Sequence, residues 1–371
     1  MKLSIDRSVL LKALSHTQTV VERRAVTPIL ANVLLEADGS NLKISATDLD
    51  LSIVETIPAN ISEQGATTVS AHMFYDIVRK LPDGSEVELN EKPDTNLVSL
   101  KCGKIKFSLP SLNAKDFTNI KTDGLPHSFT MACGDLLHLI GSTRFAMSTE
   151  ESRYYLNGIY FHTKDGDSPL LRTVATDGHR LALAEVDQPK GANGMPDVII
   201  PRKTIAEVCK LLEEEEGDVK ISLSHTQITF NFGGALVASR LIDGSFPDYE
   251  KVIPQNNNAS LTVSRKQFSE AVDRMAIISL EKTRAIKVSV NPKSINISAS
   301  TNNQGSGTDE IEATYDGKPL NTGFNARYLL DITQQIKSET IEFKLSDENA
   351  PAILKGMDET DVLYILMPMR V

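Results

Sequence analysis

The sequence predicts an α+β protein made of three repeated domains, each with two helices packed on antiparallel sheet. The main observation is a repeat, because the opening MKLSIDRSVLLKAL returns as HSFTMACGDLLHLI and again as ASLTVSRKQFSEAV. The period is about 125 residues, which fits a complete domain and is too long for a solenoid unit. The length of 371 residues agrees, since it suits two or three domains.

Each copy starts with a short alternating strand that leads into an amphipathic helix. The helix has apolar residues spaced i, i+3, i+4 and i+7, namely Leu10, Ala13, Leu14 and Thr17, then Leu136, Leu139, Ile140 and Thr143, then Phe268, Ala271, Val272 and Met275. A second helix with the same spacing recurs later in each copy. The six predicted helices span residues 7–20, 70–81, 135–147, 201–212, 265–277 and 325–337.

Strands fill the rest of each copy. Segment 28–55 contains two alternating runs joined at Asp38–Gly39, which indicates an antiparallel hairpin, and further strands begin at Val87, Val219 and Ile341. Turn-forming residues cluster at 123–126 and 254–258. We therefore predict three domains, at 1–124, 125–253 and 254–371.

Composition restricts the class of protein. The cysteines Cys102, Cys133 and Cys209 form no CxxC pair, which fits a reducing compartment. No apolar run is long enough to cross a membrane, and the N-terminus lacks a signal-peptide pattern. We expect a soluble protein of the cytoplasm.

The charge is distributed unevenly along the chain. The net charge is −10, but the six predicted helices carry +2, +1, 0, +2, +1 and +1, which leaves −17 for the other residues. A nucleic acid facing the helices would explain this segregation. The ordinary preference of Lys and Arg for helices would explain it as well, so the charge pattern alone leaves both explanations open.

Motifs for catalysis and metal binding are absent from the sequence. It contains no GxxxxGK[ST] or GxGxxG phosphate loop, no HExxH and no GxSxG turn. None of the seven histidines stands at metal-ligand spacing from a cysteine. The acidic run Glu213–Glu216 favours a solvated helix end over a cation site, because a metal needs converging ligands. We expect no catalytic residue, no metal and no cofactor.

Two local motifs combine charge with turn or aromatic residues. In ATDGHRLAL, Asp177–Gly178 predicts a hairpin turn, which does not by itself explain His179 and Arg180. In SRYYLNG, residues 152–158, an arginine precedes two tyrosines, which is typical of a site that contacts phosphate and stacks on bases. The alternative for this segment is a strand start with one buried tyrosine.

The C-terminus ends in YILMPMRV, an apolar sequence for a chain end. Pro368 interrupts a strand, so the last residues should lie over a surface. Met367 and Met369 suit an adaptable binding surface. A tail that packs onto the core of its own chain would explain these residues equally well.

Together these motifs resemble the bacterial β sliding clamp family, over essentially the whole chain. The matching segments occur in order on the threefold repeat: MKLSIDRSVLLKAL, PIL at 28–30, RYYLNG at 153–158, RTVATDGHRLA at 172–182, PRK at 201–203, DGSFPDY at 243–249 and MPMR at 367–370. The resemblance implies DNA-clamp domains that close into a head-to-tail homodimeric ring around duplex DNA, without catalysis or sequence preference. Such a ring tethers the replicative polymerase, and its expected partners are that polymerase, the clamp loader and other clamp-motif proteins.

The resemblance also implies three sets of site residues. The DNA contacts would be Arg24, Arg153, Tyr154, Tyr155, Arg202 and Lys203. A pocket for partner peptides, between the second and third domains, would be formed by Leu156, Thr176, Gly178, His179, Arg180, Leu181, Pro247, Lys251, Val252, Pro351, Ile365, Leu366, Met367, Pro368, Met369 and Arg370. The ring interface would place Phe107 and Leu109 of one chain against Ile277 and Ile278 of the other.

This chain departs from the family pattern at several positions. Lys251 and Pro351 stand where arginine and serine are expected, and lysine lacks the planar bidentate fork of arginine. Glu150 and Glu151 place negative charge beside an expected DNA contact. His72 stands where a basic residue would help, which makes that contribution depend on pH.

Two other functions are compatible with the residues themselves. One is an enzyme built on a triplicated α+β domain, with His179 and Arg180 acting on a small acidic substrate. The other is a peptide-binding scaffold that does not use DNA. Reactive groups concentrated in one domain would favour the enzyme, whereas the predicted helical charge is spread over all three domains.

Overall fold

The computed structural model describes residues 1–23, 26–92, 95–279, 284–301 and 305–371. Within these residues the chain forms six α-helices: α1 (Arg7–Thr17), α2 (Ala71–Lys80), α3 (Cys133–Thr143), α4 (Arg202–Glu214), α5 (Arg265–Ile278) and α6 (Ala326–Gln335). All six predicted helices are therefore confirmed, although their ends differ from the predicted ones by up to four residues. None of these helices is both long and apolar enough to span a lipid bilayer.

The strands come mostly in antiparallel neighbours along the chain. They are β1 (Lys2–Asp6), β2 (Asn32–Asp38), β3 (Asn41–Thr47), β4 (Leu51–Pro58), β5 (Asn60–Glu63), β6 (Gly65–Ser70), β7 (Glu86–Lys92), β8 (Leu97–Cys102), β9 (Ile105–Leu112), β10 (His127–Ala132), β11 (Gly158–Lys164), β12 (Leu170–Thr176), β13 (Arg180–Asp187), β14 (Val198–Pro201), β15 (Asp218–Leu223), β16 (Gln227–Phe232), β17 (Ala235–Arg240), β18 (Ala259–Ser264), β19 (Ala285–Asn291), β20 (Ser294–Thr301), β21 (Gly305–Tyr315), β22 (Leu320–Asn325), β23 (Thr340–Leu345), β24 (Ala352–Gly356) and β25 (Val362–Leu366).

The chain divides into two compact units. The first consists of Met1–Leu137 with Pro189–Ile242, and the second of His138–Gln188 with Asp243–Val371. Strand pairing explains why the middle repeat contributes to both units. In the first unit, β17 of the second repeat pairs antiparallel with β4 of the first, and in the second unit β13 pairs antiparallel with β25 of the third repeat.

Each unit is built on one extended sheet. The sheet of the first unit has the strand order β10-β15-β16-β17-β4-β3-β2-β6-β9-β8-β7-β1-β5. In the second unit the order runs β11-β12-β13-β25-β24-β23-β18-β21-β20-β19-β22. The helices bury the apolar faces predicted for them: Leu10 and Leu14 of α1 and Phe268 and Val272 of α5 are almost completely inaccessible.

The observed helix ends change the charge of the helices. Between these ends α1 to α6 carry +2, +1, −1, 0, +1 and 0, a total of +3 instead of the predicted +7. Most of the difference arises because α4 continues through Glu213 and Glu214, while α6 ends before Lys337. The helices therefore carry a small excess of positive charge, and the predicted strong segregation is wrong.

A buried ion cluster lies in the first unit, where α1 and the end of α4 meet β4. His16 Nδ1 is 2.7 Å from Glu55 Oε1, and His16 Nε2 is 3.2 Å from Glu214 Oε1. Lys12 reaches the other oxygen of Glu214 at 3.2 Å. Burial on its own lowers the pKa of His16, but the hydrogen bonds to the two carboxylates outweigh it and raise that pKa above its ordinary value.

We expect this cluster to make stability depend on pH. Because the folded pKa of His16 is raised, its contribution is fully present below the unfolded pKa of about 6.5 and is lost as the pH rises through the folded pKa. His16→Gln should lower the free energy of unfolding by about 2 kcal/mol near pH 6, with a smaller loss at alkaline pH. Urea unfolding followed by circular dichroism measures this, with the exposed His225 changed to Gln as the control. A loss that stayed constant or grew with pH would contradict the assignment.

Candidate functional site

An apolar cavity of about 260 Å³ opens in the second unit. It is lined by Arg153, Tyr155, Leu156, Thr176, Gly178, Arg180, Leu181, Pro247, Tyr249, Val252, Ile365 and Met367. These residues come from the short 3-10 segment Glu151–Leu156, from residues 247–252 with the 3-10 segment Tyr249–Val252, from the β12–β13 turn with the adjoining strand ends, and from β25 with the tail that follows it. The volume is at the small end for binding pockets, which suits a few apolar side chains.

The β12–β13 turn forms one wall and is fixed by its own side chains. Asp177 Oδ1 accepts hydrogen bonds from the backbone N–H groups of His179 at 2.9 Å and Arg180 at 3.0 Å. Gly178 has φ +86°, and a Cβ there would lie 2.8 Å from Arg153 Nη1. The positive φ favours glycine at this position, whereas the flexible Arg153 side chain could move away from a Cβ.

Arg180 anchors this turn to the rest of the unit. Its guanidinium donates to Asp177 Oδ2 at 3.1 Å, to Asp331 Oδ2 at 2.6 Å and to the backbone carbonyl of Phe145 at 2.8 Å. It also lies between two rings, 4.4 Å from the Tyr328 centroid and 5.0 Å from that of Phe145. Only 9% of the residue is exposed. Arg180 is thus occupied by two carboxylates, and this counts against the alternative in which it binds an acidic substrate.

Tyr249 forms part of the floor of the cavity. Arg172 Nη1 donates to its hydroxyl oxygen at 3.2 Å, and that hydroxyl lies 3.1 Å from His162 Nε2. His162 Nδ1 is 2.9 Å from the carbonyl of Thr163, so Nδ1 carries the proton and Nε2 accepts from Tyr249 when the ring is neutral. Burial raises the pKa of the Tyr249 hydroxyl despite the nearby Arg172, which keeps the phenol protonated at neutral pH. The floor is therefore a fixed, neutral surface.

The alternation of β25 determines which side chains reach the cavity. Arg180 pairs with Leu366 and Leu181 pairs with Ile365 across the β13–β25 ladder. Ile365 and Met367 point to the cavity, whereas Leu366 is fully buried on the opposite face. Leu366 does not line the cavity, and its predicted place in the pocket wall stays a prediction.

Nine of the sixteen predicted pocket residues line this cavity, namely Leu156, Thr176, Gly178, Arg180, Leu181, Pro247, Val252, Ile365 and Met367. Besides Leu366, the residues outside its wall are His179, Lys251, Pro351, Pro368, Met369 and Arg370. His179 is exposed and stacks on Tyr328 with ring centroids 6.2 Å apart. The Lys251 side chain is 82% exposed and pairs with Asp248 at 2.8 Å, so it points into solvent.

Sequence reasoning missed three of the residues that line the cavity. Arg153 and Tyr155, expected to contact DNA, line the cavity, and Tyr249 was not identified. The family motif DGSFPDY ends at Tyr249, and this motif could have identified Tyr249 as a site residue. Tyr328 and Asp331 lie far from the turn in sequence, and no local pattern connects them to Arg180.

The predicted DNA contacts lie in different environments. Arg24 falls outside the described residues. Arg153 Nε lies 3.3 Å from Glu150, so the acidic neighbour does compensate its charge. Lys203 donates to the Val20 carbonyl at 2.9 Å and pairs with Asp48. Tyr154 and Arg202 are exposed at the surface.

His72 has a local structural role. Its Nδ1 lies 3.0 Å from Gln18 Oε1 and its Nε2 lies 2.9 Å from the Val21 carbonyl. The Nε2 atom donates its proton, because a carbonyl only accepts. His72 thus connects α2 to the segment after α1.

The four predicted interface residues differ in exposure. Phe107 is 40% exposed and Ile277 is 68% exposed, whereas Ile278 is half-buried. Leu109 is only 3% exposed because its part of β9 packs into the chain's own core. Leu109 therefore exposes little surface in the single chain, and its predicted part in the ring interface stays a prediction.

Across residues 1–23, 26–92, 95–279, 284–301 and 305–371, no three His, Cys, Asp or Glu side chains converge as metal ligands would. The acidic run at 213–216 gives one carboxylate, Glu214, to the His16 cluster.

Three family models match the chain in succession. They are described as the N-terminal, central and C-terminal domains of the DNA polymerase III beta subunit, and they match residues 1–121, 131–248 and 250–370. The predicted α+β fold of three repeated clamp domains is therefore confirmed.

Full-length relatives agree with the family models. The beta sliding clamp of Caulobacter vibrioides (strain NA1000 / CB15N) is 48% identical over 372 residues, and that of Pseudomonas aeruginosa is 38% identical over 371, with both chains covered completely in each case. Among solved structures, a DnaN sliding clamp from Bartonella birtlesii bound to griselimycin has a TM-score of 0.97 at 46% identity, again with full coverage of both chains. This chain therefore belongs to the DNA polymerase III beta subunit family and functions as a DNA sliding clamp, a non-catalytic processivity subunit.

Proposed function

We propose that two copies of this chain close head to tail into a ring around duplex DNA. The ring holds the replicative polymerase and the clamp loader through the cavity of the second unit. The observation that carries the peptide-binding part is the cavity itself, which is apolar, open and bordered by fixed polar groups. The ring acts in the cytoplasm, where the bacterial chromosome is copied, and requires no cofactor.

The three repeats correspond to domains at 1–124, 125–253 and 254–371. The first two matched ranges, 1–121 and 131–248, lie inside the proposed domains. The third, 250–370, begins four residues before the proposed boundary. Support for these boundaries also comes from the turn-forming residues at 123–126 and 254–258.

DNA is held by enclosure and only weakly by charge. The helices total only +3 per chain, so the net positive charge that two copies offer to DNA is small. Since the salt dependence of binding scales with the number of phosphates neutralised, affinity for open DNA should be low. The candidates for contact are Arg24, Arg153, Tyr154, Tyr155, Arg202 and Lys203, of which Arg153 also pairs with Glu150 and Lys203 with Asp48. Such contacts read no base sequence, which allows sliding.

Two strands offer open edges for the ring interface. Among the described residues, 105–110 of β9 pair only with β8, because β6 meets β9 at Ser111 and Leu112. Likewise 305–312 of β21 pair only with β20, because β18 meets β21 at 313–315. Open edges of this length pair readily with another strand, so β9 of one copy joins β21 of the next.

Side chains beside the two edges are complementary. Lys104 directly precedes β9 and Lys106 lies within it, while β21 carries Glu310 and Glu312. Exposed apolar side chains, Phe107 near one edge and Ile277 near the other, supply the apolar contact. A head-to-tail contact of this kind closes into a ring when the rotation allows it.

Processive synthesis tests the proposed function. Primer extension on a singly primed circular template, with the cognate polymerase and clamp loader, should give products much longer in the presence of this chain. Unchanged product length, with the chain still binding the polymerase, would instead favour the peptide-binding scaffold.

Ile277→Asp should abolish the dimer. The carboxylate would be desolvated and unpaired in an apolar seam, whereas in the single chain this residue is 68% exposed and tolerates the change. Size-exclusion chromatography with light scattering should give the mass of one chain for this variant. Met357→Asp, at a 54% exposed apolar residue of the same unit, is the matched control and should retain the mass of two. A two-chain mass for Ile277→Asp would remove this residue from the interface.

Met367→Ala should weaken binding of a Leu- and Phe-containing peptide from the replicative polymerase about tenfold. A buried Met side chain contributes about 1.5–3 kcal/mol, and Met367 lines the cavity. Fluorescence polarisation of a labelled peptide measures the dissociation constant. Met357→Ala, outside the cavity, is the control and should bind like the unchanged chain. Equal affinity for both variants would mean that the peptide binds elsewhere.

A further inference from the structure

The C-terminal tail is fastened at two points in the second unit. Near the cavity, the backbone N–H of Met367 donates to the carbonyl of His179 at 3.0 Å. Two residues later, the N–H of Met369 donates to the carbonyl of Gly323 at 2.8 Å, which forms an isolated antiparallel bridge to β22. Pro368 between them has a fixed φ, so the two attachments together determine where the Met367 side chain lies.

The contact at Gly323 leaves no room for a side chain. A Cβ at this position would lie 2.5 Å from the backbone carbonyl oxygen of Met369 and 2.5 Å from Val371 Cγ1. Contacts this short do not occur between unbonded atoms, and a backbone oxygen cannot rotate away. The tail would have to leave β22.

The requirement for glycine is one of space and not of backbone angle. Gly323 is not among the described glycines with positive φ, and it pairs in register with Lys287 of β19. Alanine can therefore adopt the backbone of β22 without strain. We therefore expect Gly323→Ala to displace the tail, while β22 keeps its hydrogen bonds to β19.

We propose that Gly323 is a positioning residue of the peptide cavity. By accepting the tail against β22, it holds Met367 at the cavity wall without itself touching the ligand. This role rests on the proposed peptide-binding function of the cavity. Gly323 thus contributes to the affinity for partner peptides although it does not line the cavity.

The test is a double-mutant cycle on the full-length chain. Gly323→Ala, a chain ending at Pro368 and the combination of the two are compared for affinity to the polymerase-derived peptide. Gly323→Ala alone and the truncation alone should each weaken binding at least about threefold, and the combination should bind like the truncation, because no tail remains to be displaced. Equal loss from Gly323→Ala in both backgrounds would mean that it acts through the fold, and no loss in the full chain would also overturn the proposal.

A matched control separates the tail from general effects of Gly→Ala changes. Gly166 lies in the same unit, is not among the positive-φ glycines and has no atom within 4 Å of its Cβ position. Gly166→Ala should bind the peptide like the unchanged chain. If it weakens binding as much as Gly323→Ala does, the cavity is sensitive to any such change and the assignment fails.

Hydrogen exchange in the absence of peptide distinguishes this inference from the proposed function. The amide of Met369 should exchange faster in Gly323→Ala than in the unchanged chain, because its acceptor is lost. If the unchanged chain binds no peptide, the proposed function fails. The exchange rate of the Met369 amide still decides whether Gly323 holds the tail against β22. An unchanged exchange rate in Gly323→Ala would overturn the proposal that Gly323 positions the tail.

Discussion

The site depends above all on the register between β13 and β25. The pairing of Arg180 with Leu366 and of Leu181 with Ile365 brings the last strand of the third repeat beside the turn of the second. Because side chains alternate along a strand, a slip of one residue would turn Leu366 to the cavity and Ile365 and Met367 away from it. The cavity exists only because two repeats, distant in sequence, share one ladder.

Buried charge holds that arrangement in place. Arg180 joins the turn to α6 through Asp331 and to the segment after α3 through the Phe145 carbonyl. Removing one partner from such a buried pair typically costs about 3 kcal/mol, since the remaining charge stays desolvated. In the first unit the His16 cluster connects α1, β4 and α4. Both clusters connect elements of different repeats, which packing within a repeat cannot do.

Periodicity predicted the fold well because it reports burial directly. The spacing of Leu10, Ala13 and Leu14, repeated in the other copies, identified all six helices, but not where α4 ends. At that end Glu214 contacts Lys12 and His16, and such tertiary contacts leave no pattern in the local sequence. Tertiary contacts also limited the prediction of the site. The family motifs located Gly178 and Met367, whereas no local sequence pattern connects Tyr328 and Asp331 to Arg180. Leu109 and Leu366 are buried in the single chain. The sequence did not predict this, because alternation along a strand does not tell which of its two faces the chain itself covers.

The central claim is that the protein holds DNA by enclosing it. The most direct measurement loads the protein onto nicked circular DNA with the cognate clamp loader and ATP, washes the complex at high salt, and then cuts the circle once. If the ring encloses DNA, the protein stays bound to the circle through the wash and is released when the DNA becomes linear. Protein that remains bound after the cut would contradict this account and would indicate ordinary affinity for DNA.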